Sequence, residues 1–330
     1  MKIVIIADWH CGKDRIGRHR VSPEVWDAPA REAVAWAVEN DADAFVVAGD
    51  LFDKRNPTTA EYERALAIFQ PLHHPRQFGG AGIPIDTWII DGNHDIGASV
   101  ASTPATWPFR VDDEHYCHFT GAASVNEHIT DALDLNLIAL PWPRPVDYFH
   151  PGDQRLGLAD ELASTRDAVL TTLQGLASNP DPSLPAILVG HAMVAYGEAA
   201  AQSPNLLLGK DVVLPYDYLT SLPNVGAVAL GHVHQPGRGY VGSTQPTDFA
   251  DVEPKSFTVI EITEGENGWD YETTTIPYET SLRAGNLNWK LETRENPLGH
   301  LKEDLAQMVH YDEGAEPDFD VARVSVALRP

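Results

Sequence analysis

Ala44-Phe45-Val46-Val47-Ala48-Gly49-Asp50 is a strand-length apolar run that stops on a glycine and a carboxylate. Such a run reads as a buried strand. Taken alone it decides little, because a strand-end aspartate is commonly a turn residue or a helix cap. The pattern recurs, however. Lys2 to Ala7 runs into Asp8-Trp9-His10, and Thr87 to Ile90 into Asp91-Gly92-Asn93-His94-Asp95. Ala186 to Val189 runs into Gly190-His191, and Ala227 to Leu230 into Gly231-His232-Val233-His234. Each of these five apolar strands delivers Asp, Asn or His at its carboxyl end, where α/β sheets place their sites. These residue types are ligands for hard-to-borderline divalent metals. The constellation predicts a dinuclear metal site with Asp50, alone at its strand end, bound to both ions.

Two neighbouring divalent ions neutralise a phosphate, activate a water and stabilise the leaving oxygen. Asp8 and His10, two apart on an extended stretch, can converge on one ion. His232 and His234 share that spacing, which allows one to go to each ion. Asn93 adds a carbonyl oxygen and His191 a further nitrogen. His94, next to Asn93, points elsewhere in the pocket and is a candidate general acid for the leaving alkoxide. Asp53 is placed to orient its imidazole, with Asp95 as a rival for that part. The other histidines serve as controls. His73-His74, His115, His118, His128, His150, His300 and His310 read as surface loop, and Trp9, Trp107 and Trp142 as packing residues.

The 330 residues suffice for one large domain and a small one. Hydrophobic content of 43% and charged content of 22% are those of a soluble globular chain. No apolar run reaches the length of a membrane span, and the N-terminus enters a strand at Lys2 without signal-peptide architecture. Cys11 and Cys117 offer no disulfide framework, so a cytoplasmic protein is expected. The net charge of −25 opposes loose association with nucleic acid. Yet six of the 23 cations, Lys13, Arg15, Arg18, Arg20, Lys54 and Arg55, follow directly on the first two motifs. They read equally as a solvated cluster or as a phosphate-contacting rim.

Along the chain, Ser22-Pro23 offers a helix start, Ala30 to Asn40 has amphipathic spacing, and Thr58-x-x-Glu61 is a capping box opening a helix to about Gln70. Pro71 to Pro84 reads as loop and Ala98 to Asn126 as irregular. Leu135 to Leu140 is a strand feeding the stiff segment Pro141-Trp142-Pro143-Arg144-Pro145, and Leu158 to Leu176 is a long helix. Arg238 to Val241, Ser256 to Ile262 and Trp269 to Thr275 look like antiparallel strands. Two sheets face to face with helices outside accommodate the whole. Beyond Ser281 the texture changes. Strands near 286–292 and 320–326 and a helix at 297–309 suggest a small appended α/β unit.

In order and spacing, Asp8-x-His10, Gly49-Asp50, Gly92-Asn93-His94-Asp95, Gly190-His191 and Gly231-His232-x-His234 resemble the calcineurin-like metallophosphoesterase superfamily over about residues 1 to 275. That resemblance implies an αββα sandwich with two metals, commonly manganese, magnesium being the other candidate. It assigns Asp8, His10, Asp50 and His234 to one ion, and Asp50, Asn93, His191 and His232 to the other. Asp8-Trp9-His10-Cys11-Gly12, Gly49-Asp50-Leu51-Phe52-Asp53, Leu140 to Pro145 and Tyr240 to Pro246 are similar to SbcD-type DNA double-strand-break repair nucleases. This similarity implies manganese-dependent 3′-to-5′ exonuclease and endonuclease action on DNA, an SbcC-type ATPase partner and a DNA-facing capping domain. The expected division is a nuclease domain at 1–280 and a partial or compact capping domain at 281–330, with a homodimer left open. The rival readings are a phosphodiesterase or phosphatase for small phosphate esters, and a scaffold subunit for an ATPase.

Overall fold

The computed structural model describes residues 1–17, 19–74, 82–96, 116–130, 133–149, 157–178, 181, 183–197, 211–266, 268–282, 284–291 and 321–328. Its elements begin with β1 (Lys2–Ile6), β2 (Arg15–Ile16), β3 (His19–Arg20), α1 (Pro23–Trp26), α2 (Ala28–Glu39), β4 (Ala44–Ala48), α3 (Thr59–His73) and β5 (Asp86–Ile90). They continue with β6 (Tyr116–Phe119), β7 (Ser124–Thr130), β8 (Leu133–Leu140), α4 (Pro145–Tyr148), α5 (Leu158–Ser178), β9 (Ala186–His191) and β10 (Met193–Ala195). Last come β11 (Val213–Pro215), α6 (Tyr216–Thr220), β12 (Val225–Gly231), β13 (Ser256–Gly265), β14 (Gly268–Pro277), β15 (Ala284–Leu291) and β16 (Val321–Leu328).

Alternation along the central strands decides the layering, because successive side chains point to opposite faces of a sheet. One sheet has the order β14-β13-β1-β4-β5-β6 and the other β12-β9-β8-β7. Ile3 and Ile5 of β1 and Ala44 and Val46 of β4 pack in one core with Leu135 and Leu137 of β8 and Ile187 and Val189 of β9. The alternate residues Val4, Ile6, Phe45 and Val47 pack instead with Ala33 and Val34 of α2 and Ile68 and Phe69 of α3. Beyond the second sheet, Ile138, Leu140 and Leu188 pack with Val169 and Leu173 of α5 and Leu219 of α6. The order is helix, sheet, sheet, helix, the expected αββα sandwich. Each fully buried side chain of this size contributes roughly 1.5–3 kcal/mol.

β1, β4 and β5 are parallel neighbours in the first sheet, as are β8, β9 and β12 in the second. All five motif-bearing strands therefore point their carboxyl ends the same way within their sheets. Among the described residues no helix is long and apolar enough to cross a membrane. Ser22 caps α1, and Thr58 and Glu61 form the expected capping box on α3.

Several expectations change. α3 continues through Pro71 to His73. Leu72 and His73 are buried there, and packing overrides the weak local signal of a proline in the last turn. His73 faces Thr87 Oγ1 at 3.2 Å, so it is no surface-loop residue. His118 is not one either, since its Nε2 lies 2.8 Å from the buried Asp91 carboxylate. The stretch expected to be irregular holds β6 and part of β7, and His128 lies in β7. Residues 98–115, with Trp107 and His115, lie outside the described residues, as do His150, His300 and His310. Arg238 to Val241 is a tight turn beside Leu230, not a strand. Gly237 and Tyr240 exchange backbone hydrogen bonds of 2.9 and 3.0 Å, and Arg238 has a left-handed φ of 51°. Near the C-terminus β15 and β16 pair in parallel, and the helix expected at 297–309 lies outside the described residues.

Candidate metal centre

The chain reverses sharply after the motif-bearing strands. Asp8, His10 and Asp50 have φ of 49°, 52° and 52°, and His232 at the end of β12 has 91°. Left-handed φ is unfavourable for side chains with a Cβ and persists where surrounding contacts over-determine it. Those contacts are present. Asp8 N–H donates to Gly49 O at 3.0 Å and His10 N–H to Asp50 O at 2.9 Å, lacing the first loop to the second. His94 N–H donates to Asp50 Oδ1 at 2.8 Å. His232 N–H donates to the Asp8 carboxylate, with both oxygens within 3.1 Å.

The tryptophan between Asp8 and His10 turns away from the site and anchors it. Trp9 is fully buried, and its Nε1 donates to Asp27 Oδ1 at 3.1 Å. Trp26 Nε1 donates back to Trp9 O at 2.9 Å, and Arg64 Nε holds the other Asp27 oxygen at 3.0 Å. Trp9 is thus a packing residue, as its type suggests.

The polar atoms left facing inward converge. Asp50 Oδ2 lies 3.4 Å from His191 Nε2 and 3.9 Å from His10 Nε2, between the two halves of the cluster. Asn93 Oδ1 lies 3.1 Å from His191 Nε2 and 3.0 Å from His232 Nδ1. His234 Nε2 is 3.2 Å from His10 Nε2 and 3.6 Å from Asp8 Oδ1. Asp8, His10 and His234 can each offer an atom within 4.8 Å of the others, and so can Asp8, Asp50 and His191. Two imidazole nitrogens aimed at each other, beside two carboxylates and an amide oxygen, make a donor set suited to divalent cations. The residues present therefore fit a pair of metal ions. His191 Nδ1 sits 2.9 Å from Ala48 O, which fixes its proton there and leaves Nε2 to ligate.

Burial governs the charges. It pushes the Asp8 carboxyl up to about 7 against the pull of His191, with Asp50 adding to the rise. Burial would also raise Asp50, but His191 and His10 hold it below the usual carboxylate range. Burial lowers His10 well below its ordinary value, His232 to about 3 and His234 to about 4. Burial would lower His191 too, yet the Asp50 and Asp8 carboxylates raise it to about 9. His10, His232 and His234 thus keep lone pairs to offer, and the rise at His191 comes from the two carboxylates that face it.

His94 stands beside this cluster, its ring edge-on to His10 at 4.7 Å. Its Nδ1 lies 2.8 Å from Asp53 O, so Asp53 orients it through the backbone carbonyl and not through the carboxylate. That carboxylate lies 3.4 Å from Lys13 Nζ and 3.8 Å from His10 Nδ1. Asp95 accepts from Leu51, Phe52 and Gly92 N–H groups at 2.9–3.2 Å, a loop-holding position away from the His94 ring. Of the basic residues, Arg15 and Arg20 face each other across the β2–β3 pair and are exposed, as are Lys54 and Arg55. Arg18 lies outside the described residues.

Some residues around the site lie outside the five strand-end motifs. The half-buried Trp142 ring lies 4.6 Å from His232, although its type suggests packing alone. It follows the carboxyl end of β8, so the strand-end rule could have found it. Asp211 lies 3.8 Å from His232 Nε2 and Thr247 lies 2.6 Å from His234 Nδ1. No local signal marks either.

A two-sheet αββα sandwich with carboxylates, an amide and imidazoles gathered at its strand ends defines a metal-dependent phosphoester hydrolase. The chain belongs to the calcineurin-like phosphoesterase family, whose model matches residues 1–236. It is 30% identical over 263 residues to the D subunit of the nuclease SbcCD from Rhodobacter capsulatus, covering 72% of this chain and 58% of that protein. The chain thus spans a little over half the length of that relative. Among solved structures it is similar to a dimetal phosphatase from Danio rerio, at 14% identity and a TM-score of 0.45, covering 84% of this chain and 99% of that one. It is also similar to TT1561 of Thermus thermophilus, at 13% identity and a TM-score of 0.42, covering 83% and 98%.

Proposed function

We propose that this chain is a manganese-dependent DNA nuclease, a 3′-to-5′ exonuclease and endonuclease that processes DNA ends in cytoplasmic repair or recombination with an SbcC-type ATPase. The observation that carries this reading is the 30% identity over 263 residues to the D subunit of the nuclease SbcCD. Asp8, His10, Asp50 and His234 would hold one ion, and Asp50, Asn93, His191 and His232 the other, with magnesium as the alternative metal. When bound, the two ions supply charge neutralisation of the phosphate and activation of a water. The chain's own residues do the rest. Asp50, held by the His94 N–H, keeps the two halves of the donor set together. His94, with its Nδ1–H donated to the Asp53 carbonyl, would act in its imidazolium form, giving the Nε2 proton to the leaving oxygen and returning to the neutral Nδ1–H tautomer. Lys13, Arg15, Arg18, Arg20, Lys54 and Arg55 form a basic rim for the phosphodiester backbone. Residues 281–330, which include the β15–β16 pair, act as a compact capping unit toward DNA. Dimerisation would place two such sites on one complex.

The net charge of −25 supports a second reading, hydrolysis of small phosphate esters, for which an acidic body is no obstacle. Degradation of an end-labelled linear duplex with manganese, magnesium or a chelator, beside a generic small phosphodiester, decides between them. Manganese-dependent shortening of the duplex, abolished by the chelator, is expected. Turnover of the small ester with the duplex untouched at low salt would favour the second reading for the chain alone. His94→Ala should retain both ions and lose about 10²–10⁴-fold in turnover. Parallel loss of bound metal and activity would make His94 structural.

A further inference from the structure

His234 meets the proposed centre with one ring nitrogen and is gripped by the other. Its Nε2 faces His10 Nε2 at 3.2 Å and Asp8 Oδ1 at 3.6 Å. Its Nδ1 lies 2.6 Å from Thr247 Oγ1, on the connection between β12 and β13. An imidazole that ligates through Nε2 carries its proton on Nδ1 and needs an acceptor there to fix tautomer and ring orientation. Thr247 Oγ1 is placed to be that acceptor.

The connection carrying Thr247 has no helix or strand to hold it, and a buried cation takes their place. The Lys255 side chain is 1% exposed. Its ammonium donates to Asp251 Oδ1 and, at 2.8 Å, to His234 O. The other Asp251 oxygen accepts the Thr247 N–H at 3.2 Å. These contacts close a ring from the His234 imidazole to the Thr247 hydroxyl, along the Thr247 backbone to Asp251, through Lys255, and back to the His234 carbonyl. A buried ammonium costs several kcal/mol unless it is paired and hydrogen-bonded. Here both of its named contacts serve to place the residue that ligates and the loop that orients it.

We propose that Thr247, held by the Asp251–Lys255 pair, is the positioning residue that fixes His234 in the tautomer and orientation that bind a divalent cation. This rests on the reading of Asp8, His10 and His234 as metal ligands and extends it to residues that neither touch the cation nor belong to a strand-end motif.

The test uses the full chain, stripped with a chelator and titrated with manganese chloride in a calorimeter against a competing chelator. Thr247→Val, which keeps the shape and loses the hydroxyl, should weaken one of two bound ions by about 10–100-fold and leave the other unchanged. Thr247→Ser should restore the affinity, and Lys255→Met should weaken the same ion as Thr247→Val. In the metal-free chain, nitrogen-15 correlation spectra of the histidine rings should place the His234 proton on Nδ1 in the unmodified and Ser forms and lose that preference in the Val form. If circular dichroism shows Thr247→Val unfolded, Thr247→Ala against Thr247→Ser gives the same comparison. Unchanged manganese affinity and an unchanged ring tautomer in the folded variants overturn the inference while leaving the metal centre intact. Failure of the unmodified chain to bind manganese overturns the metal reading and this inference with it.

Discussion

At the residue scale, the loop after β1 that carries Asp8 and His10 depends on a side chain that never enters the site. Asp8 and His10 both sit at left-handed φ, and the residue between them is driven into the core. Trp9 can stay there because the buried Asp27 carboxylate accepts its indole N–H and is itself paired with Arg64. Burial lifts Asp27 above the ordinary carboxylate range, with Arg64 and the Trp9 hydrogen bond pulling it back down. Asp27→Asn keeps the shape and removes the charge. Its amide cannot accept from both Trp9 and Arg64 without turning an NH₂ toward one of them. Removing one partner of a buried pair leaves the other uncompensated, so a loss of about 3 kcal/mol in stability is expected from denaturant unfolding. A loss within about 0.5 kcal/mol, typical of ordinary surface substitutions, would show that packing alone holds Trp9.

At the element scale, the site is a consequence of where parallel strands stop, and that is why so much of it was legible. Apolar runs of strand length, each closed by glycine or a polar ligand type, gave β1, β4, β5, β9 and β12 and the order of their terminal residues. What the runs could not give is which side chains reach across from other elements. Asp211 and Thr247 approach the imidazoles through tertiary crossovers that leave no period in the chain. His73 and His118 look like solvated loop residues until β5 and its neighbours bury them. The link from Asp53 to His94 uses a backbone carbonyl, which every residue possesses, so no residue type could announce it. Gly49 was legible as punctuation but not as a steric requirement. It has a φ of 85°, and a Cβ there would run into the His191 ring. Gly49→Ala should therefore combine the left-handed penalty of about 1–2 kcal/mol with an overpacking cost of about 1–3 kcal/mol. Gly121 is the control, since it has a φ of 81° with nothing within 4 Å of a Cβ. Gly121→Ala should show only the first cost in the same unfolding experiment. Equal losses at both positions would mean that His191 yields and that Gly49 serves the backbone alone.

At the scale of the whole molecule, the proposed substrate and the net charge of −25 pull in opposite directions. Acidic surface repels a polyanion, and affinity for duplex DNA rests mainly on the cations that replace its condensed counterions. Lys54 and Arg55 are exposed and follow the Asp50 loop, so changing them tests the rim without disturbing the core. If both touch phosphates, Lys54→Glu with Arg55→Glu should weaken duplex binding most at low salt. It should also reduce the slope of log affinity against log salt by roughly 0.9 for each phosphate no longer neutralised. Turnover of a small phosphodiester at the same manganese concentration should stay near that of the unmodified chain, because such a substrate spans none of the rim. An unchanged salt slope would assign Lys54 and Arg55 to solvated surface and leave the proposed ATPase partner to supply the DNA affinity. An equal fall on both substrates would place their effect on the metal centre itself. The expected split, duplex binding weakened and small-ester turnover kept, would mean that a strongly acidic body admits DNA through a locally basic mouth.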